Sequence, residues 1–250
     1  MKNVINAVWI WMLLLSACDR DDACDFIKTR GERVTVERVL PPFHSITVRN
    51  GIHVRLSYGD DYSATIVGWK NLMSGVRLTV DAEGALLLED ANRFKFLRSR
   101  DNMTIVHLRM AGELNHINFA GNGDFATQDT LVTSGLVILS EGSGALEVQA
   151  RTPSLYIGTN HRNTASITVS GRGADVGITN WGYSPVDVYG FKALRVSVAQ
   201  RGTGDARVFA TESVHVDFLS GVGDVYYGGH PPSVTFTRRE KGKGQLLPTE

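Results

Sequence analysis

Gly202-Thr203-Gly204-Asp205-Ala206-Arg207-Val208 is followed nineteen residues later by Gly221-Val222-Gly223-Asp224-Val225-Tyr226-Tyr227. The same turn stands earlier as Gly121-Asn122-Gly123-Asp124 and Gly142-Ser143-Gly144-Ala145. Two degenerate copies, Asn163-Thr164-Ala165-Ser166 and Gly182-Tyr183-Ser184-Pro185, fill the gap between the pairs, and the six turns are then spaced by 21, 21, 19, 20 and 19 residues. A short alternating strand follows each turn, as in Leu146-Glu147-Val148 or Ile167-Thr168-Val169. A second corner comes next, such as Ala150-Arg151-Thr152-Pro153 or Gly190-Phe191-Lys192-Ala193, and a second strand closes the unit, as at 155–157 or 194–198. Alternation with period two puts one side of each strand inside and the other outside. The corner glycines are expected to supply the positive φ that a sharp turn needs.

Two short strands and two corners in every 20 or so residues describe one coil of a right-handed, single-stranded parallel β-helix. One such coil cannot bury its apolar face alone, but a stack buries a continuous column. A leucine-rich repeat has a similar period and needs a Leu/Asn ladder that is absent. A β-sandwich gives many short strands without repeats in register. The fold expected is therefore all-β, a coil stack. Residues 46–108 follow a looser form of the pattern, broken by Asn92-Arg93-Phe94-Lys95-Phe96-Leu97-Arg98-Ser99-Arg100-Asp101.

Ahead of the repeats, Met1-Lys2 precedes an apolar stretch over 4–15, interrupted by Asn6, and then Ser16-Ala17-Cys18. One charge, about a dozen apolar residues and small residues before the cut make a secretory signal peptide, too short for a spanning helix of ~20 residues. Leu15-Ser16-Ala17-Cys18 resembles the lipobox of bacterial lipoproteins, which implies cleavage before Cys18 and its acylation. The acidic stretch 19–25 reads as a tether, facing the cell surface or the periplasm, and holds Cys24 as an incidental thiol. The domain plan is a signal peptide over 1–17, a lipid-anchored tether over 18–31, one β-helix domain over 32–238 and a polar tail over 239–250. The localisation expected is the outer membrane, on its surface or periplasmic side.

Further features echo a known family. Phe43-His44-Ser45-Ile46-Thr47-Val48 leads into Asn50-Gly51-Ile52-His53-Val54-Arg55-Leu56-Ser57-Tyr58-Gly59; Gly68-Trp69-Lys70-Asn71-Leu72 and Gly84-Ala85-Leu86-Leu87-Leu88 come next, and the Gly-x-Gly-Asp turns follow. In this order, behind a lipobox, the features resemble the autotransporter-adhesin "head GIN" domain over about residues 33–237. The resemblance implies a β-helix-like fold on a bacterial lipoprotein, no established enzyme activity, and no catalytic residues to carry over.

Composition narrows the function classes. Lys plus Arg equals Asp plus Glu, 26 against 26, which argues against nucleic acid as a partner. Two cysteines cannot build a disulfide framework or a Cys-rich zinc site. Seven histidines, His44, His53, His107, His116, His161, His215 and His230, show no HxH or HExxH spacing; His53, His107 and His215 are expected to face outward from strands. No Gly-x-Ser-x-Gly elbow occurs, and no cofactor is implied. Asp205 and Asp224, in one corner of adjacent coils, either hold a hard cation or accept hydrogen bonds from turn amides.

The expected function is a non-catalytic, lipid-anchored envelope protein that binds a glycan or protein of the envelope or host; a carbohydrate-active β-helix enzyme and a structural assembly module are the alternatives. The binding face is sought where the repeat departs from itself. The residue before each turn slot reads Ala120, Glu141, Arg162, Trp181, Arg201, Ser220. An outward ladder of Glu141, Arg162, Trp181 and Arg201, with Asn160, His161 and Tyr183 nearby, is the expected sugar-binding corner. A second candidate patch is basic: Arg93, Lys95, Arg98 and Arg100 interleaved with phenylalanines. Pro231-Pro232 and the basic run over 238–243 are placed to protect the last strand edge.

Overall fold

The computed structural model describes residues 31–92 and 103–249. It is a β-solenoid of about 6 turns with ~21 residues per coil, 61% strand and 3% helix; its one helix among the described residues is a short 3-10 segment, Lys70–Gly75. Cys18, Cys24 and the patch Arg93, Lys95, Arg98 and Arg100 lie outside the described residues.

The regular part begins with β8 (His116–Gly121 in chain order), preceded by β1 (Arg33–Val39), β2 (Ser45–Asn50), β3 (Ile52–Tyr58), β4 (Ser63–Trp69), β5 (Val76–Val80), β6 (Ala85–Asp90) and β7 (Thr104–Met110). After β8 come β9 (Phe125–Thr127), β10 (Leu131–Val132), β11 (Leu136–Ser140), β12 (Ala145–Arg151), β13 (Ser154–Thr159), β14 (Ser166–Arg172) and β15 (Asp175–Asn180). The stack finishes with β16 (Val186–Asp187), β17 (Phe191–Gln200), β18 (Ala206–Phe218), β19 (Val225–Gly228), β20 (Ser233–Arg238) and β21 (Leu246–Pro248). The chain alternates between two parallel faces. One face stacks β9, β12, β14, β16, the first half of β18, β19 and β21. The other stacks β8, β11, β13, β15, most of β17, the second half of β18, and β20.

The inward positions of both faces form one core. Leu146, Ile167, Val186, Ala206 and Val225 follow one another up the first face, and Leu136, Leu155, Val176, Val196 and Val214 up the second, all buried. Phe119, Phe125, Phe191 and Phe218 are its largest fully buried side chains. Along the glycine corners the interior turns polar: Ser140, Thr159, Asn163, Asn180 and Gln200 are buried. Ser140 Oγ donates to Asn163 Oδ1 at 2.6 Å, Thr159 Oγ1 to Asn180 Oδ1 at 3.0 Å, and Asn180 Nδ2 and Gln200 Nε2 both donate to the Gly204 carbonyl at 2.7 Å. This column satisfies corner carbonyls that neither face's ladder can reach.

The glycines have a different reason from the one expected. At the Gly-turn corners only Gly221 has positive φ, at 79°, and at the second corner Gly171 and Gly229 have it, at 128° and 93°. The others are dictated by close approach between coils: a Cβ on Gly144 would stand 2.0 Å from the Gly123 carbonyl oxygen, and one on Gly204 would stand 2.1 Å from that of Ser184. Backbone stacks directly on backbone there, and no side chain fits.

The looser N-terminal pattern also has a cause. β2 pairs with both β6 and β8, and β3 with both β7 and β9, so the first coil of the chain is not the first in the stack. Beyond it the sheets end in antiparallel strands: β4 lies between β7 and β1, and β5 pairs with β6. These pairings close the N-terminal end and break the period of the repeat. At the other end, β21 pairs in parallel with β19, so the stretch expected as a polar tail from residue 239 carries the last strand. The last edge of the second face is β20, exposed along its length, with Phe236 at 55%. Arg238 lies over this end, its guanidinium 5.2 Å from the Phe218 ring and 5.7 Å from that of Phe236, with Nη2 donating to the Gly244 carbonyl at 2.7 Å.

Candidate binding surface on the glycine corners

Each glycine corner carries the chain from the second face to the first. Residues just after the second-face strands stand in the next rung of the same ladder. Ser140 pairs with Thr159, and Asn180 with Gln200, so the rungs beyond them are Glu141, Asn160, Trp181 and Arg201. This corrects the expected ladder at one step. The coil after Thr159 carries two extra residues, turned outward by the Asn163 amide bonding back to the Asn160 carbonyl at 3.0 Å. Counting back from the turn slot assigned Arg162 to the rung, whereas Asn160 occupies it.

Asn160 ties this corner together. Its Nδ2 donates to Glu141 Oε2 at 2.8 Å, and its Oδ1 accepts the Arg162 amide at 2.8 Å. Arg162 is directed to the other side, where with Glu141, Asn50 and Asn122 it lines a groove of about 430 Å³. His161 takes the place foreseen for Arg162: its ring meets that of Trp181 edge-on, centroids 6.1 Å apart at 63°. On the far side the Arg201 guanidinium lies 5.5 Å from the indole centroid. Trp181 is 48% exposed, between an imidazole and a cation, and its backbone amide is fixed on Thr159 Oγ1 at 2.9 Å. Tyr183, 63% exposed, follows two residues later, its amide on the Asn163 carbonyl at 3.0 Å. The structure thus brings Trp181, Arg201 and His161 together, with Tyr183 beside them, and joins Glu141 and Arg162 through Asn160.

The corner aspartates act on backbone. Asp124 Oδ1 accepts the Ala145 amide at 3.0 Å, Asp205 Oδ1 the Asp224 amide at 2.8 Å, and Asp224 Oδ1 the Gln245 amide at 2.7 Å. Each carboxylate bonds the residue one rung above it, which staples coil to coil. Beside them the Tyr226 hydroxyl is pushed above its ordinary pKa by burial and then by the charges of Asp205 and Asp224. Among the described residues no three His, Cys, Asp or Glu side chains converge to hold a metal ion.

Sequence reading missed a second cluster, on the outer side of the first face. Tyr189 and Phe209 pack edge to face, centroids 5.7 Å apart at 86°. Lys192 Nζ lies 3.6 Å from the Phe209 centroid, and the Arg207 guanidinium 5.4 Å from that of Tyr189 while pairing with Asp187 at 3.1 Å. The signal was present: applied to the second corner, the same repeat alignment places Lys192 and Phe209 in adjacent coils.

Comparison with known proteins matches these features to one family. The profile described as "Putative auto-transporter adhesin, head GIN domain" matches residues 42–231. A crystal structure of a "putative adhesin" from Bacteroides fragilis superposes with a TM-score of 0.77 at 21% identity, covering 87% of this chain and 97% of that one. A "putative adhesin" from Parabacteroides distasonis gives 0.64 at 17% identity, covering 88% and 98%. A "Putative lipid binding protein" from the same species gives 0.63 at 15% identity, again covering 88% and 98%. None of the curated proteins matches the chain.

Proposed function

The chain belongs to the head GIN domain family, and from that premise we propose that it is a non-catalytic adhesin of the bacterial envelope, lipid-anchored through Cys18, that recognises a glycan or a partner protein at its glycine corners. The observation that carries this reading is Trp181, a half-exposed indole held between His161 and Arg201 on a rigid rung. A solvated tryptophan face beside planar donors suits the apolar face and hydroxyl rim of a sugar ring. The rung is held in place because β15, which leads into it, pairs with β13 on one side and with β17 on the other. Cell-surface placement accords with the adhesin family, and the Leu15-Ser16-Ala17-Cys18 pattern supports the anchor.

The test is made on cells and on a glycan array. Cys18→Ser should lose acyl labelling and leave the membrane fraction, since anchoring rests on acyl chains at that residue. Trp181→Ala and Arg201→Ala should each weaken glycan or partner binding about tenfold, or ~1.4 kcal/mol, with little change in melting temperature. Unchanged binding in both variants refutes the corner as the recognition site. Release of reducing sugar from envelope polysaccharide would make the protein an enzyme instead.

A further inference from the structure

At the other corner of the coil, where the first face passes to the second, register builds a column of like charge. Arg151 pairs with Arg172, and Arg172 with Lys192, in consecutive rungs ~4.8 Å apart. The backbone beyond each continues the ladder: the Thr152 amide bonds the Arg172 carbonyl at 3.2 Å, and the Gly173 amide that of Lys192 at 3.1 Å. The three cations border an open groove of about 650 Å³ whose floor is small and apolar, including Val132, Pro153, Ala193 and Leu194. Gly173 in its lining lets the coils stack closely, because a Cβ there would strike the Thr152 carbonyl at 2.0 Å.

Like charges on neighbouring strands repel, and proteins ordinarily relieve this with an acid in the next rung. The acids of this corner are committed elsewhere. Arg195 binds Asp175 through Nε and Nη2 at 2.7 and 2.9 Å, and Glu212 through Nη1 at 3.1 Å. Glu113 accepts the Ser134 amide and hydroxyl at 3.1 and 3.0 Å. Among the described residues neither Arg151 nor Arg172 has an acidic partner, while Lys192 rests on Phe209 and Tyr189. A built column of cations with no internal counter-charge points to an anion supplied from outside.

We infer that Arg151, Arg172 and Lys192 form a binding column for a linear acidic polysaccharide lying along the solenoid axis. The cations stand in single file with Asp175, Glu212 and Glu113 close to the groove. That arrangement repels a broad anionic surface such as a membrane or duplex, and accepts a narrow chain with one acid per ring. The apolar floor and the Tyr189–Phe209 pair suit the faces of sugar rings. A chain whose charged rings repeat at about the rung spacing, ~5 Å, meets one cation per ring. This surface lies at a different corner from Trp181 and does not depend on it.

The experiment measures binding of the purified chain to polygalacturonate, to dextran sulfate and to neutral dextran of matched length. The wild type should bind one or both polyanions and not dextran. Arg151→Gln with Arg172→Gln should weaken that binding about tenfold and flatten its salt dependence. The melting temperature should hold or rise as the repulsion is relieved. An Arg77→Gln and Lys241→Gln pair, which removes the same charge at distant sites, and Trp181→Ala should keep wild-type affinity. No polyanion binding by the wild type, or equal weakening by the control pair, overturns the inference. Tighter binding to single-stranded DNA or anionic vesicles, with the same sensitivity to Arg151 and Arg172, also overturns it. Loss of array binding in Trp181→Ala, with polyanion binding intact, bears only on the glycine corner.

Discussion

Replacing Asn163 by alanine and Gln200 by methionine should separate two members of one buried polar column. Asn163 is fully buried; it accepts from Ser140 Oγ at 2.6 Å and donates to the Ala165 carbonyl at 3.1 Å. Asn163→Ala strands a hydroxyl and a carbonyl in the interior, each costing about 1–3 kcal/mol. Because the hydroxyl can rotate toward another acceptor, the sum is set near the lower half of that range, ~3 kcal/mol. At roughly 2–4 °C per kcal/mol for a domain of this size, the melting temperature should fall by about 6–12 °C. Gln200 differs in one respect. Its Nε2 shares the Gly204 carbonyl with Asn180 Nδ2, and among the described residues its Oε1 is buried without a partner. Gln200→Met leaves Gly204 bonded, loses one hydrogen bond of about 1 kcal/mol and removes an unsatisfied carbonyl whose burial costs about 1–3 kcal/mol. The net change runs from zero to ~2 kcal/mol in favour of the variant. Thermal unfolding followed by circular dichroism and calorimetry compares the two. If Gln200→Met falls as far as Asn163→Ala, the reasoning is refuted, because Oε1 must then have a partner in the folded protein.

Two further substitutions probe the stack and its outer face. Gly144→Val sets a Cβ 2.0 Å from the Gly123 carbonyl, a backbone atom that cannot yield, and should cost more than about 4 kcal/mol and abolish soluble expression; a folded variant of near wild-type stability would show that the coils can separate. Asp175 is held below the usual aspartate range, chiefly by its hydrogen bonds from Arg195. A depressed folded pKa means that its contribution is present above the unfolded value near ~3.9 and is lost as pH falls through the folded one. Asp175→Asn should therefore flatten the acid limb of the melting curve below about pH 4; identical acid limbs would remove this pair from acid unfolding.

The coil stack was legible because its two signals are local: a step of 19 to 21 residues, and period-two alternation within it. The corner chemistry was less so. The Asp205 and Asp224 carboxylates bond the rung above, as a turn-amide reading of them anticipates. The ladder through Trp181 was displaced at Arg162, since a two-residue outward turn after Thr159 shifts the rung without altering the spacing of the turns. The glycines were legible in place but not in cause: whether a glycine serves φ or close approach depends on the neighbouring coil, which is distant in sequence. The N-terminal order was illegible for the same reason, because nothing local distinguishes a strand laid in the next rung from one laid two rungs away. The cation column is legible only once the second corner is aligned, where Arg151, Arg172 and Lys192 recur in the same phase of the repeat.

The position of the first coil gives the molecule a direction of growth. Ser45 pairs with Ala85 and with His116, 40 and 71 residues away, whereas Leu155 finds Val176 only 21 residues on. Loop closure over 71 residues rather than 21 costs about 1 kcal/mol more, so the N-terminal pairings are the more costly ones to form, while each later coil pairs with a near neighbour in the chain. Strands β1 to β7 end in antiparallel pairs and offer no parallel edge to extend. Among the described residues the parallel ladders finish at the other end, on β20 and β21. A solenoid of this kind can gain or lose whole coils near its C-terminal end without disturbing its start, and the length of its corner columns is therefore adjustable one rung at a time.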